Sequence, residues 1–236
     1  MGDLELRSAP FWGKADRNWI MRFYFDFISP YAFLAWQSLP AFRREAGAAV
    51  EVVPVLFAAL LQHHGTKGPA EVPAKRVYVF KDANRKSNAL GFGPVTPPPS
   101  HPFNPLLALR LASLPFDDSA ARERMIDAFF RATWAGEGGI DKPERVGAIL
   151  ERLGLPAKRL IDEATSDENK ARLRRQTEEA IGAGVFGVPT LLVKGEVFWG
   201  LDAMPFAAAR WAGRDVVDEL DLSQWEKLPA SAGRKV

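Results

Sequence analysis

The spacing of hydrophobic positions changes several times along the chain. "MRFYFDF" (21–27) is aromatic and alternates with polar residues, which predicts a strand, and "PYAFLAWQSLPAFRREAG" (30–47) has helical apolar spacing ending at a glycine. "AVEVVPVLF" returns to alternation and predicts a second strand. Strand, helix, strand with a helix of this length implies a right-handed crossover joining a parallel pair, and Pro40 inside the helix implies a kink. From Ala58 to about Gly184 the pattern is mainly helical, in "PAKRVYVFKDANRKSNALG", "NPLLALRLASL", "DSAARERMIDAFFRATWAGEG", "KPERVGAILERLG", "PAKRLIDEAT" and "SDENKARLRRQTEEAIGAG". Asn104-Pro105 and Thr165 with Glu168 read as helix starts. The one long loop, "GFGPVTPPPSHPFN", is stiffened by three consecutive prolines. In "FGVPTLLVKGEVFWGLDAMPFAAARWAG" a strand, a Lys194-Gly195 turn and a strand through Trp199 make a hairpin, followed by a helix from about Asp202.

The element order is therefore β-α-β, a helical block, then β-β-α. It predicts an α/β unit built from residues 21–57 and 185–215 and interrupted by an all-helical insertion at 58–184. Residues 1–20 read as an N-terminal extension and 216–236 as a polar tail, and no internal repeat is visible.

Composition narrows the function. The chain has 236 residues, 47% hydrophobic and 25% charged, enough for a sizeable core. A net charge of +2 lacks the cationic surplus of a phosphate-tracking surface, so no nucleic-acid partner is expected. No apolar run approaches the roughly 18 residues that span a bilayer, and the first 20 residues carry acids where a secretory signal carries bases, so a cytoplasmic, unprocessed protein with no membrane partner is expected. The absence of cysteine removes disulfides, thiolate metal sites, Fe–S clusters and cysteine nucleophiles together. Any thiol chemistry must come from a bound molecule. With His63, His64 and His101 the only histidines, no metal site is expected.

Within "FDFISPYAFLAWQSL" Ser29 stands before Pro30 at a predicted helix start, where a serine side chain accepts a backbone N–H and a proline gives up a donor without a partner. The same position lies where a helix dipole favours an anion, so the hydroxyl fits both a cap and a ligand contact. Asp202 fits an N-cap of the last helix or a carboxylate for a ligand ammonium. Asp26 sits in an apolar strand, and His63 and His64 read as exposed loop residues. Phe57, Phe80, Phe92 and Phe103 fit either core or an aromatic-tolerant pocket, and Lys67, Lys75, Arg76, Arg85 and Lys86 fit either solvated surface or charge for an anionic substrate.

Three segments, "FYFDFISPYAFLA", "HPFNPLLALRLA" and "FGVPTLLVKGEVFWGLD", together with the element order over roughly residues 21–215, resemble the glutathione-dependent 2-hydroxychromene-2-carboxylate isomerases and the related kappa-class glutathione transferases. The resemblance implies a DsbA-like thioredoxin fold with a helical domain inserted between its halves. It implies glutathione as cofactor and a homodimer. Ser29 is implied to hydrogen-bond the glutathione sulfur, Val188 to pair its backbone with the cysteinyl part, Pro189 to be cis, and Trp199, Gly200, Leu201 and Asp202 to hold the γ-glutamyl end. His101, Asn104 and Arg76, bordering the proline loop or on the first long helix of the insertion, are the candidate substrate residues. Leu201 stands where an asparagine or serine is common, Ala203 where an arginine is common, and "LFAALLQHHG" has no lysine where the isomerases use one. The implied activity is isomerisation of an aromatic, carboxylate-bearing α,β-unsaturated ketone. Conjugation or peroxide reduction of the kappa type, and a cysteine-less binding module, are the alternatives.

Overall fold

The computed structural model describes residues 21–220 and 223–229. Its sheet has four strands, β1 (Met21–Phe25), β2 (Val50–Pro54), β3 (Thr190–Val193) and β4 (Glu196–Trp199), in the spatial order β2-β1-β3-β4. Parallel β1 and β2 are joined by α1 (Pro30–Ala46), while β3 runs antiparallel to both β1 and β4. The register sets Phe23 beside Val52 and Leu191, and Tyr24 beside Val53 and Thr190. Between β2 and β3 the chain inserts α2 (Phe57–His63), α3 (Pro73–Ala89), α4 (Leu106–Ser113), α5 (Ser119–Trp134), α6 (Pro143–Arg152), α7 (Ala157–Ala164) and α8 (Asp167–Gly182). After β4 come α9 (Met204–Trp211) and the short α10 (Ser223–Glu226). The fold is α/β, thioredoxin-like, with the helical insertion at the expected place.

Central β1 is buried on both faces, and strand alternation assigns each face a partner. Met21, Phe23 and Phe25 join the larger core with α1, α4, α5 and α9, whereas Tyr24 joins Val53, Val55, Leu60, Ala180, Val185 and Val188 beneath α2 and α8. Aromatic contacts weld the end of β1 to α5: Phe25 lies 5.5 Å and Phe27 4.8 Å from the Phe130 ring, and Trp36 of α1 packs on it at 5.9 Å. Such edge-to-face and offset pairs add to the area they bury. The insertion is thus fastened to the sheet rather than appended to it.

Local details depart from the sequence expectations for identifiable reasons. β1 ends at Phe25, not Phe27, because the chain turns at Asp26, whose carboxylate accepts the Ile28 amide at 3.0 Å. Ser166, not Thr165, caps α8 by accepting the Asn169 amide at 3.2 Å, while the Thr165 hydroxyl donates back to Ile161. His63 is the last residue of α2 rather than a loop residue, and the His64 ring packs edge-on against it at 4.9 Å. The last helix begins at Met204 after a single 3-10 turn, Leu201–Ala203. Asp202 therefore lies in that turn and does not cap α9. The extension at 1–20 and most of the end of the tail lie outside the described residues.

Candidate active site

Ser29 is the N-cap of α1, with extended backbone (φ −97°, ψ 119°), and its Oγ accepts the Ala32 amide at 3.1 Å. The same hydroxyl donates to the Val188 carbonyl at a long 3.4 Å, so its proton can be redirected at little cost. In the first turn of α1, Pro30 has no N–H, Ala32 and Phe33 donate to Ser29, and Tyr31 keeps an N–H without an acceptor among the described residues. Beside this helix start lies Val188, joined to Pro189 by a cis peptide bond as expected. The Val188 N–H also has no acceptor among the described residues. Two amides without acceptors among the described residues and one hydroxyl thus lie around the positive end of a 17-residue helix.

Beneath the turn, Asp26 is fully buried. Its carboxylate accepts Ile28 N at 3.0 Å and Phe57 N at 2.9 Å, and its carbonyl accepts Ser29 N at 3.2 Å. Burial pushes its pKa up to about 7, against the pull of the two amides. Asp26 therefore ties the Ser29 turn to the start of α2.

The hairpin end closes the other side. Trp199 is 57% exposed and packs edge-on against Phe186 at 5.2 Å. A Cβ at Gly187 would lie 2.6 Å from the Trp199 indole nitrogen, so only glycine fits there. Gly200 takes φ +102° and donates to the Pro189 carbonyl at 2.9 Å, which holds the turn against the cis-proline segment. Leu201 is buried in the main core, so its side chain packs and only its backbone faces outward. Asp202 is exposed, with its carboxylate folded toward Gly200.

The fold that carries this helix start has counterparts among known proteins. A family model, the DSBA-like thioredoxin domain, matches residues 20–212. The chain belongs to that family. Among curated relatives, a 2-hydroxychromene-2-carboxylate isomerase of Sphingobium xenophagum is 30% identical over 188 residues, covering 78% of this chain and 93% of that protein. Glutathione S-transferase kappa 1 of Rattus norvegicus is 23% identical, covering 85% of this chain and 95% of that protein. A solved 2-hydroxychromene-2-carboxylate isomerase superposes with a TM-score of 0.74 at 26% identity, over 82% of this chain and 95% of that one. The relatives are enzymes, isomerases and kappa transferases.

In this DSBA-like domain α3 of the insertion packs against α1. The Tyr31 hydroxyl donates to Asp82 of α3 at 2.7 Å, and Lys86 sits 3.2 Å from the same carboxylate and 4.8 Å from the Tyr31 ring centroid. Burial and the Asp82 bond push the Tyr31 phenol above its usual range, so it stays protonated. Lys86 is therefore paired rather than free for a substrate. The i,i+4 spacing of Asp82 and Lys86 was readable in the sequence, but their meeting with Tyr31 depends on α3 crossing α1. Asn104 is exposed, and its side-chain oxygen accepts the Leu106 amide at 3.0 Å, so it serves as a local helix start. The His101 ring packs on Phe80 at 5.4 Å, Arg76 stands one helical turn before Phe80, and the His101-Pro102 bond is a second cis peptide, which sequence reading missed. Trp134, also missed, donates its indole N–H to the Phe27 carbonyl at 2.8 Å and so joins the His101 region to the Ser29 turn.

A groove of about 610 Å³ runs between α1 and α5, lined by Trp36, Pro40, Arg43, Glu123, Asp127 and Leu153. It contains none of these residues, and its arginines are engaged by carboxylates, Arg43 by Glu123 and Arg131 by Asp127. The donor set at Ser29 and Val188, both largely buried, lies apart from this groove. Among the described residues no His, Asp or Glu cluster is arranged to hold a metal, and no helix is long and apolar enough to cross a membrane.

Proposed function

We propose that this protein is a glutathione-dependent isomerase of an aromatic, carboxylate-bearing α,β-unsaturated ketone, in the manner of the 2-hydroxychromene-2-carboxylate isomerases it resembles. The observation that carries this reading is the Ser29 hydroxyl, at the start of α1 and bonded to the Val188 carbonyl, next to a Val188 amide that has no acceptor among the described residues. The donor set fits glutathione: hydroxyl and helix amides suit a sulfur anion, an unsatisfied strand-like amide suits a peptide backbone, and the exposed Asp202 suits an ammonium. Held by Ser29, the start of α1, Val188 and Asp202, reduced glutathione would supply a thiolate for reversible addition to the conjugated double bond, which permits rotation about it and returns the glutathione unchanged.

The chain's own contributions are positional and electrostatic. Ser29 shifts its proton from the Val188 carbonyl to the sulfur, and the α1 dipole favours the anion over the thiol. Gly187 and Gly200 let the Trp199 segment approach the Pro189 segment closely enough to hold the γ-glutamyl end. Phe27, Phe129, Phe130 and Trp134 keep the turn dry and fixed from behind.

Calorimetry with reduced glutathione is expected to show one site per chain in the millimolar range or tighter, and no binding at that concentration rejects the reading. Incubation with 2-hydroxychromene-2-carboxylate should interconvert isomers with total thiol constant. A second reading, kappa-type conjugation or peroxide reduction at the same site, is favoured by the kappa relatives and by the absence of a lysine in α2. A stable thioether or oxidised glutathione among the products would select it.

A further inference from the structure

The region where α3 meets the loop at 101–104 holds an unpaired cation beside an imidazole with an unsatisfied nitrogen. The His101 ring is half-buried in an aromatic nest, 5.4 Å from Phe80, 5.4 Å from Trp134 and 6.2 Å from Phe103. Its Nδ1 is enclosed and has no hydrogen-bond partner among the described residues. A proton there would be a buried donor without an acceptor, the costlier arrangement, so the proton belongs on Nε2. Burial, and then the charge of Arg76, push the ring's pKa down, so it is neutral at physiological pH. Arg76 stands one helical turn before Phe80, half-buried, and its side chain makes no ion pair or hydrogen bond among the described residues. Arg43, Arg131 and Arg152, by contrast, each rest on a carboxylate. Trp134, which closes the nest, is hydrogen-bonded to Phe27, two residues before Ser29. A half-buried cation one turn from Phe80 and a neutral donor packed on Phe80, linked through Trp134 to the turn before Ser29, lack only an anion.

We infer that the Arg76 guanidinium and the Nε2–H of His101 dock the carboxylate of a substrate whose aromatic ring lies against Phe80 and Phe103. The inference rests on the glutathione reading for the identity of the adjoining site, and it assigns the specificity for acids to this chain's own Arg76 and His101. A guanidinium offers two parallel donors to a carboxylate, and the imidazole adds a third without adding a second full charge. The aromatic nest selects planar acids over aliphatic ones.

The test uses 2-hydroxycinnamate and its uncharged amide as probes, titrated by calorimetry into the full chain with and without millimolar reduced glutathione. The parent should bind the acid about tenfold more tightly than the amide, the worth of one charge-assisted contact. Arg76→Ala should erase that preference while leaving amide binding and the unfolding temperature in place, Arg76→Lys should restore part of it, and His101→Asn should weaken the acid severalfold. A parent that binds neither probe or does not discriminate between them, or an Arg76→Ala protein that keeps the preference, overturns the inference. Failure of glutathione alone to bind overturns the cofactor reading and leaves the acid–amide comparison fully readable.

Discussion

The Ser29 side of the site and the Arg76–His101 side are built by different means. Around Ser29 the functional atoms are mostly backbone, namely the Tyr31 and Val188 amides and the Gly200 turn, with one hydroxyl among them. Around His101 they are side chains from α3, from the proline loop and from the end of α5, brought together by packing. A backbone site tolerates change in most of its residues as long as the chain path holds. A side-chain site changes its preference with single substitutions, so in the proposed function it is the part free to set the substrate while the backbone part keeps the cofactor.

Trp134 is where the two sides join, and removing it should produce the largest effect. Trp134→Ala is expected to cost about 3–5 kcal/mol in urea unfolding, as for other fully buried aromatics. Trp134→Phe keeps most of the volume and strands the Phe27 carbonyl, so a loss of about 1–3 kcal/mol is expected. If Trp134→Phe costs nothing, the two sides are not coupled through that bond.

Next is the carboxylate beneath Ser29. Asp26 binds its proton more tightly in the native state, with a pKa of about 7, than in the unfolded chain, where 3.8 applies. Over that window the native state holds more protons, so stability should fall as pH rises, by up to about 1.4 kcal/mol per unit. Asp26→Asn should flatten this slope in unfolding curves taken across the window. The His101 side works in the other direction, since a lowered histidine pKa makes stability fall as pH drops below about 6.5.

Smaller changes separate cap from contact. Ser29→Ala loses the Ala32 cap and should cost about 0.5–2 kcal/mol in thermal or urea unfolding. Asp202→Asn, at an exposed residue that caps no helix, should move stability by less than about 0.5 kcal/mol. It should weaken glutathione about tenfold in calorimetry if the carboxylate meets the ammonium.

The same division explains what the sequence made legible. The Ser29-Pro30 helix start, the Lys194-Gly195 hairpin and the β-α-β order are local patterns, and each appears where its spacing places it. The cap of α8 moved by one residue because Thr165 and Ser166 compete for it, and spacing alone does not rank them. Asp202 was expected at a helix start, yet Leu201 turns into the core and adds a 3-10 turn ahead of Met204. Tyr31 with Asp82, and Trp134 with Phe27, join residues 51 and 107 positions apart, and no periodicity encodes such meetings.

In the proposed function Ser29 and the start of α1 stabilise a bound glutathione thiolate. The direct measurement is the pKa of glutathione's thiol in the complex, followed by ultraviolet thiolate absorbance across a pH titration of the parent and of Ser29→Ala. A value below the ordinary thiol pKa of about 8.5 in the parent, rising in the variant, is what the account predicts. A bound thiol with an unshifted pKa, or one equally shifted in both proteins, would contradict it.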